Sequence, residues 1–281
     1  ERRSDGGIGT VGDMAEASAI STTGQRVITG IESFGAFTIF VGVLFARMIA
    51  RPRRWLRWRL LRPQLYFVGV ATIPVVAVTG AFIGMVLALE GYAQFAAFGQ
   101  EGRLGGAIAV SVTKQIGPVL AAVMVAGRVG GALAAELGTM RVTEQLDALR
   151  SMAADPILYL VAPRFVACVV MTPLLTVYSD VLGVWGGWLV SVKAFGVSEY
   201  EYWSFSASFV HWWEPATGLF KSVVFGAFIG LIACYKGFTC RAGAAGVGQA
   251  ATEAFVSSFL AIIMANLVLA EVLNEIGVIV Q

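Results

Sequence analysis

Apolar residues in this chain come in long, nearly unbroken runs, unlike the alternation of a half-buried strand or the one-sided stripe of a soluble helix. The runs at residues 67–89, 104–126, 165–192, 216–235 and 254–273 each approach or exceed the ~20 residues that a helix rising 1.5 Å per residue needs to cross ~30 Å of hydrocarbon. A shorter run over residues 33–50 is interrupted at Arg47 and leads directly into RPRRWLRWRLLRP, where six arginines alternate with Trp55 and Trp58. Guanidinium groups meeting phosphates and indoles at the water boundary describe a segment on a headgroup surface. Residues 33–63 are therefore expected to form an interfacial helix with a basic segment. Residues 1–32, rich in Gly, Ser and Thr and without periodicity, are expected to form a flexible tail. The predicted fold is an all-α integral membrane protein with about five transmembrane helices, carried by residues 64–281.

One polar stretch, residues 134–165, separates two of these runs. Taken as a helix over residues 139–152, it puts Val142, Leu146 and Leu149, and then Ala153, at spacings of four, three and four, which is one apolar stripe. Arg141, Glu144, Gln145 and Asp147 fall off that stripe. Asp155-Pro156 stops the helix, because proline disfavours the α conformation in the residue before it, and the same pair can cap a new helix. A short amphipathic helix between spans is the reading, with an ordinary helical loop as its alternative.

Composition agrees: 57% of the 281 residues are hydrophobic and 14% are charged, with a mean hydropathy of +0.77. That is too much apolar surface for one water-soluble core. A net charge of +2 gives no reason to invoke nucleic acid. Cys168, Cys234 and Cys240 have no metal or redox spacing and are read as packing residues, and the single His211 has no second ligand nearby, so no metal site is expected. No phosphate loop, HExxH or GxSxG is present, so no catalytic residue is assigned and any work on a substrate must draw on a partner or an ion gradient. Basic residues gather at 51–63, in the 134–165 stretch and at 236–241, which places these on the cytoplasmic side with the C-terminus outside.

Within the runs, glycines stand four apart at Gly80 and Gly84, Gly127 and Gly131, Gly183 and Gly187, and Gly226 and Gly230, a spacing that lets helix backbones approach. Lys114, Asp180 and Lys221 are ionisable residues inside spans and so are candidate site residues, with snorkelling or a packing pair as the alternative role.

The run GPVLAAVMVAGRVGGALAAELGTMRVTEQLDALRSMAADPILYLVAPRF, residues 117–165, resembles the signature of the MlaE/YrbE permeases, membrane subunits of ABC transporters that work with MCE proteins on lipids. GMVLALEGY at 84–92, FKSVVFGA at 220–227 and GAAGVGQAATEAFVSS at 243–258 match the same family pattern. The resemblance implies an interfacial helix before the first span and a cytoplasmic coupling helix at 139–152 resting on an ATPase, with Glu136, Arg141, Val142, Glu144, Gln145, Leu146, Asp147 and Leu149 as contacts. It implies a lipid pocket at Met85, Val86, Leu89 and Tyr92 with Gln115 and Lys221 nearby. It also marks Asn266 as an intramembrane polar position where relatives often carry Asp. Gln115 stands where the family usually has Glu, so a neutral amide replaces a carboxylate at this position. The implied partners are an ABC ATPase subunit binding ATP and Mg²⁺, an MCE-domain protein, a second permease copy or paralogue, and membrane lipid. This chain itself would carry no cofactor. The implied location is a bacterial inner membrane, or else the chloroplast inner envelope. A gradient-driven carrier or channel relaying through Lys114, Asp180 and Lys221, and a non-transporting scaffold, are the rival functions.

Overall fold

The computed structural model describes residues 32–280, and apart from short connections their backbone is helical, with no strand among the described residues. The chain divides into two compact units after Arg47. The first contributes most of α1, Glu32–Ala50, a helix of 19 residues that is itself apolar enough to span a membrane. Six helices meet that standard among the described residues, against the five or so expected; the sixth is α1, in the segment expected to lie at the interface. The tail expected over residues 1–32 falls, but for Glu32, outside the described residues.

The arginine-rich segment is broken into α2, Pro52–Trp55, and α3, Trp58–Val68. Trp55 Nε1 donates to the Met48 carbonyl at 3.1 Å. α3 is two-faced: Leu61 and Val68 are buried while Arg59 and Arg62 are exposed, as a helix along an apolar boundary requires. Gly69 and a 3₁₀ turn, Val70–Thr72, then re-aim the chain into α4, Ile73–Ala97. Pro74 sits in the first turn of α4, where its missing N–H costs nothing.

The next stretch runs as one helical rod from α5, Leu104–Ser111, through α6, Gly117–Val125, to α7, Gly131–Val142, joined by π segments at Val112–Ile116 and Ala126–Gly130. The span expected at 104–126 therefore does not end at the membrane. It continues into the polar stretch and supplies half of it. The expected single helix over 139–152 is corrected accordingly: the rod stops at Val142, Glu144 takes a left-handed φ of 57°, and a separate α8 covers Gln145–Ser151. Neither glycine nor proline marks that break, so side-chain spacing could not reveal it. Asp155 does cap the next helix, its Oδ1 accepting the Ile157 N–H at 3.0 Å. That helix is long, a π segment Ile157–Val161 running into α9, Ala162–Trp188, and then a further π segment Leu189–Ala194.

α9 is the hub of the second unit and packs against α3, α4, α6 and α11, Trp213–Phe238; α12, Ala244–Val280, closes against α7 and α11. Backbone contact makes this possible. A Cβ on Gly84 would overlap the Gly183 carbonyl, one on Gly186 the Ala81 carbonyl, and one on Gly226 would lie 2.6 Å from the Cys168 carbonyl. Gly127 and Gly131 differ, with 3.5 Å or more of room, so that pair is not a close crossing. One apolar core gathers Val76, Val125, Val129, Leu133, Phe225, Ile229 and Ile262, and a second gathers Ala88, Leu104, Ile108, Val112, Val190 and Tyr202.

The acidic and aromatic connection over residues 193–214, which has no apolar periodicity, contains α10, Glu199–Phe209. α10 packs on α5 through the fully buried Tyr202, whose hydroxyl donates to the Val184 carbonyl at 2.9 Å. Burial pushes that hydroxyl well above its ordinary value, so it stays a donor. α10 and α8 lie at opposite ends of the α9 span. In a background with the three buried free cysteines replaced by alanine, single cysteines at the exposed Ala148 and Ser208 should react with an impermeant maleimide from opposite sides of the membrane. Labelling of both from one side would remove the span between them.

Candidate functional site

Lys221 projects from α11 into the chain with 1% of its surface exposed. Its Nζ donates to Gln115 Oε1 at 2.5 Å and approaches the Lys114 carbonyl at 3.4 Å. Both partners lie in the Val112–Ile116 π segment, whose wider turn disturbs the ordinary i−4 ladder and turns a backbone carbonyl outward. A buried ammonium is costly without acceptors, and here a side-chain amide and a carbonyl supply them without a counter-charge. α11 comes close because Gly218 has no side chain: a Cβ there would overlap the Thr113 carbonyl.

α9 turns a polar stripe, Thr172, Thr176, Ser179 and Asp180, towards the inside. The threonines satisfy themselves on the Cys168 and Thr172 carbonyls. Asp180 does not: it is 7% exposed, and its Oδ1 lies against Gly117 without a hydrogen-bond partner. It lines a cavity of about 330 Å³ together with Thr113, Val177, Val184, Trp185, Trp203 and Leu219. Of this stripe, Asp180 was legible in the sequence, as an ionisable residue inside a span. The tryptophans were not, because they reach the cavity from two different elements.

Of the six expected lipid-pocket residues, four lie along α4 and two meet between α11 and the 112–116 segment. Met85 and Tyr92 pack against the second core, with Tyr92 stacked on Phe195 at 4.0 Å between ring centres. Val86 and Leu89 are 47% and 53% exposed on the outer face of α4. Gln115 and Lys221 meet each other in the interior. Lys114 is half-buried, and Asn266 has a buried Oδ1 without a partner on α12.

At the other end of the rod, Glu136 pairs with Arg164 of α9 at 2.7 Å, tying α7 to α9; Arg164 is 3% exposed. Arg128 donates to Thr72 Oγ1 at 2.7 Å, and Lys236 pairs with Glu253 at 2.8 Å. Sequence reading counted these arginines only as loop charges that orient the chain, not as buried contacts. Leu146 is 2% exposed and belongs to the chain's own packing. Arg141, Val142, Glu144, Gln145 and Asp147 remain on the outside, with Leu149 half-buried beside them. The arrangement is thus a helical rod with a buried Lys–Gln contact near one end and an exposed charged corner at the other.

The family model described as Permease MlaE matches residues 61–272. A probable ABC transporter permease protein of Rickettsia felis is 40% identical over 259 residues, 91% of this chain and 98% of the relative. The intermembrane phospholipid transport system permease protein MlaE of Haemophilus influenzae is 35% identical over 259 residues, covering 92% and 98%. The chloroplastic protein TRIGALACTOSYLDIACYLGLYCEROL 1 of Arabidopsis thaliana is 36% identical over 214 residues, covering 76% of this chain and 61% of the plant protein.

Proposed function

Because the chain belongs to the MlaE permease family, we propose that it is the membrane-spanning subunit of an ABC transporter that moves phospholipid or a related lipid. ATP and Mg²⁺ bind a separate ATPase subunit, which seats on the corner around Glu144. An MCE-domain protein exchanges lipid at the opposite face, and a second copy or paralogue completes the membrane part. The bacterial inner membrane is the setting that the Haemophilus relative suggests, with the chloroplast relative pointing to the envelope as the alternative.

The observation that carries this reading is the rod over residues 104–142. It links Gln115, which holds Lys221, to Val142 at the exposed corner, about 40 Å away at ~1.5 Å per residue. A continuous helix transmits a push along its axis, so movement at the corner reaches the buried polar contact without a signal through soft loops. The Glu136–Arg164 pair passes the same push to α9.

The test is a double charge reversal, Glu144→Lys with Asp147→Lys. Both residues are exposed, and the Asp147–Arg150 pair is a solvated i,i+3 contact worth well under ~1 kcal/mol, so the fold should survive. Like charges set against a complementary surface should lower ATPase co-purification roughly tenfold or more and remove lipid-stimulated hydrolysis, while the ATPase's own nucleotide turnover persists. Full retention of the partner and of lipid stimulation would move the contact elsewhere. Leu146→Asp is the poorer probe, since it would place a charge in the chain's own core.

A further inference from the structure

The cavity beside Asp180 is separate from the Lys221–Gln115 contact and has a different chemistry. Its walls are apolar and aromatic, and among the described residues its only charged lining group is a carboxylate. Lys221 gives its hydrogen bonds to Gln115 and Lys114, and Asp180 Oδ1 is left without a donor. A buried carboxylate without a partner is expensive, and a cation supplied from outside would remove that cost.

The depth of the cavity narrows the choice of cation. Asp180 lies about 7–8 Å along α9 from Trp185, taking ~1.5 Å per residue. The Tyr202 hydroxyl hooks α10 onto Val184 and so fixes the neighbouring Trp203 at the same level. Trp185 is 57% exposed and Trp203 39% exposed. Tryptophans in this setting mark the headgroup level of a bilayer, and the carboxylate sits just beneath it. Val177, Val181 and Leu219 are also partly exposed, so the cavity opens sideways towards the surroundings of the bundle. A carboxylate and two indoles lining one cavity supply the groups that hold alkylammonium ions, by ion pairing and by cation–π attraction.

We propose that this cavity binds a phospholipid whose headgroup carries an ammonium, with Asp180 as counter-charge and Trp185 and Trp203 as walls, while the acyl chains lie along Val177, Val181 and Leu219. The proposal requires only that the chain sits in a bilayer. It does not rest on ATP-driven transport, and it stands or falls separately from that reading.

The experiment equilibrates the purified full chain with equimolar phosphatidylethanolamine and phosphatidylglycerol in mixed micelles and reads the retained lipids by native mass spectrometry. Wild type should enrich the amine lipid roughly fivefold or more over the input ratio, the scale set by one charge-assisted contact. Asp180→Asn should return the ratio to the input value, and tetramethylammonium should compete with the amine lipid in the wild type. Trp203→Leu, at the rim, serves if Asp180→Asn fails to fold, and should reduce the enrichment by more than half. An input ratio in the wild type overturns the proposal, as does unchanged enrichment in a folded Asp180→Asn or in Trp203→Leu. If tetramethylammonium binds while the lipid ratio stays at input, the occupant is a soluble amine and the lipid proposal fails.

Discussion

Gly84→Leu is expected to leave no correctly assembled protein to purify. The α4–α9 crossing places these backbones in contact, and a Cβ at position 84 already overlaps the Gly183 carbonyl before the rest of a leucine is added. Nothing there is a flexible side chain that could swing aside. Overpacking a core costs ~1–3 kcal/mol when side chains can adjust, and more when two helices must separate. Here the separation would also pull Gly186 from Ala81 and Gly80 from Ser179, undoing the crossing along its length. The measurement is the monodisperse fraction by fluorescence-detected size exclusion, with Gly127→Leu as the comparison. Gly127 has ordinary van der Waals room and should tolerate the change far better. A monodisperse Gly84→Leu with native thermal stability would show that α4 and α9 do not cross as described.

Lys221→Met should show the opposite separation, an intact protein that does not transport. Methionine matches the volume and stem of lysine and removes a buried charge but leaves Gln115 Oε1 without its donor, so stability should fall by no more than ~1–3 kcal/mol and the protein should still assemble. What is lost is a charge-assisted hydrogen bond of ~1.5–3 kcal/mol to Gln115. If that contact forms in one transport state and opens in another, its loss should slow lipid transfer roughly tenfold to a hundredfold. Lys221→Arg should be intermediate, keeping the charge in a shape that the 1%-exposed site cannot fit. Transfer between vesicles by the reconstituted transporter reads the rate, and the melting temperature reads the fold. Wild-type transfer in Lys221→Met would leave Lys221 a packing role only.

The spans were legible because a run of twenty apolar residues has few fates other than a membrane, and the Asp155-Pro156 punctuation was legible because it acts on the adjacent backbone. The close crossings at Gly84 and Gly226 were expected from small residues four apart. The same pattern misled at Gly127 and Gly131, where spacing says nothing about which neighbour arrives. The break at Glu144 left no trace because a left-handed glutamate is a tertiary outcome. α10 was hidden because its inward-facing residues, Tyr202 and Ser206, do not stand out among aromatic neighbours. For the site, single polar residues could be named in advance, Lys221 and Asp180 among them. Gln115 was set beside Lys221 only by the family resemblance, and the indoles of Trp185 and Trp203 around Asp180 could not be named, since they come from elements far apart in sequence.

The π segments at 112–116 and 126–130 bear on how such a chain can vary. A π turn carries an extra residue, so the helical faces on either side are offset by about one residue's rotation, roughly 100°. Removing one residue from 112–116 would restore an ordinary helix and leave its hydrophobicity and length almost untouched. It would nevertheless swing Gln115 away from Lys221 relative to the exposed corner. The wide turns thus work as phase adjusters, through which a lineage can re-aim what the interior presents while the exposed corner keeps its bearing.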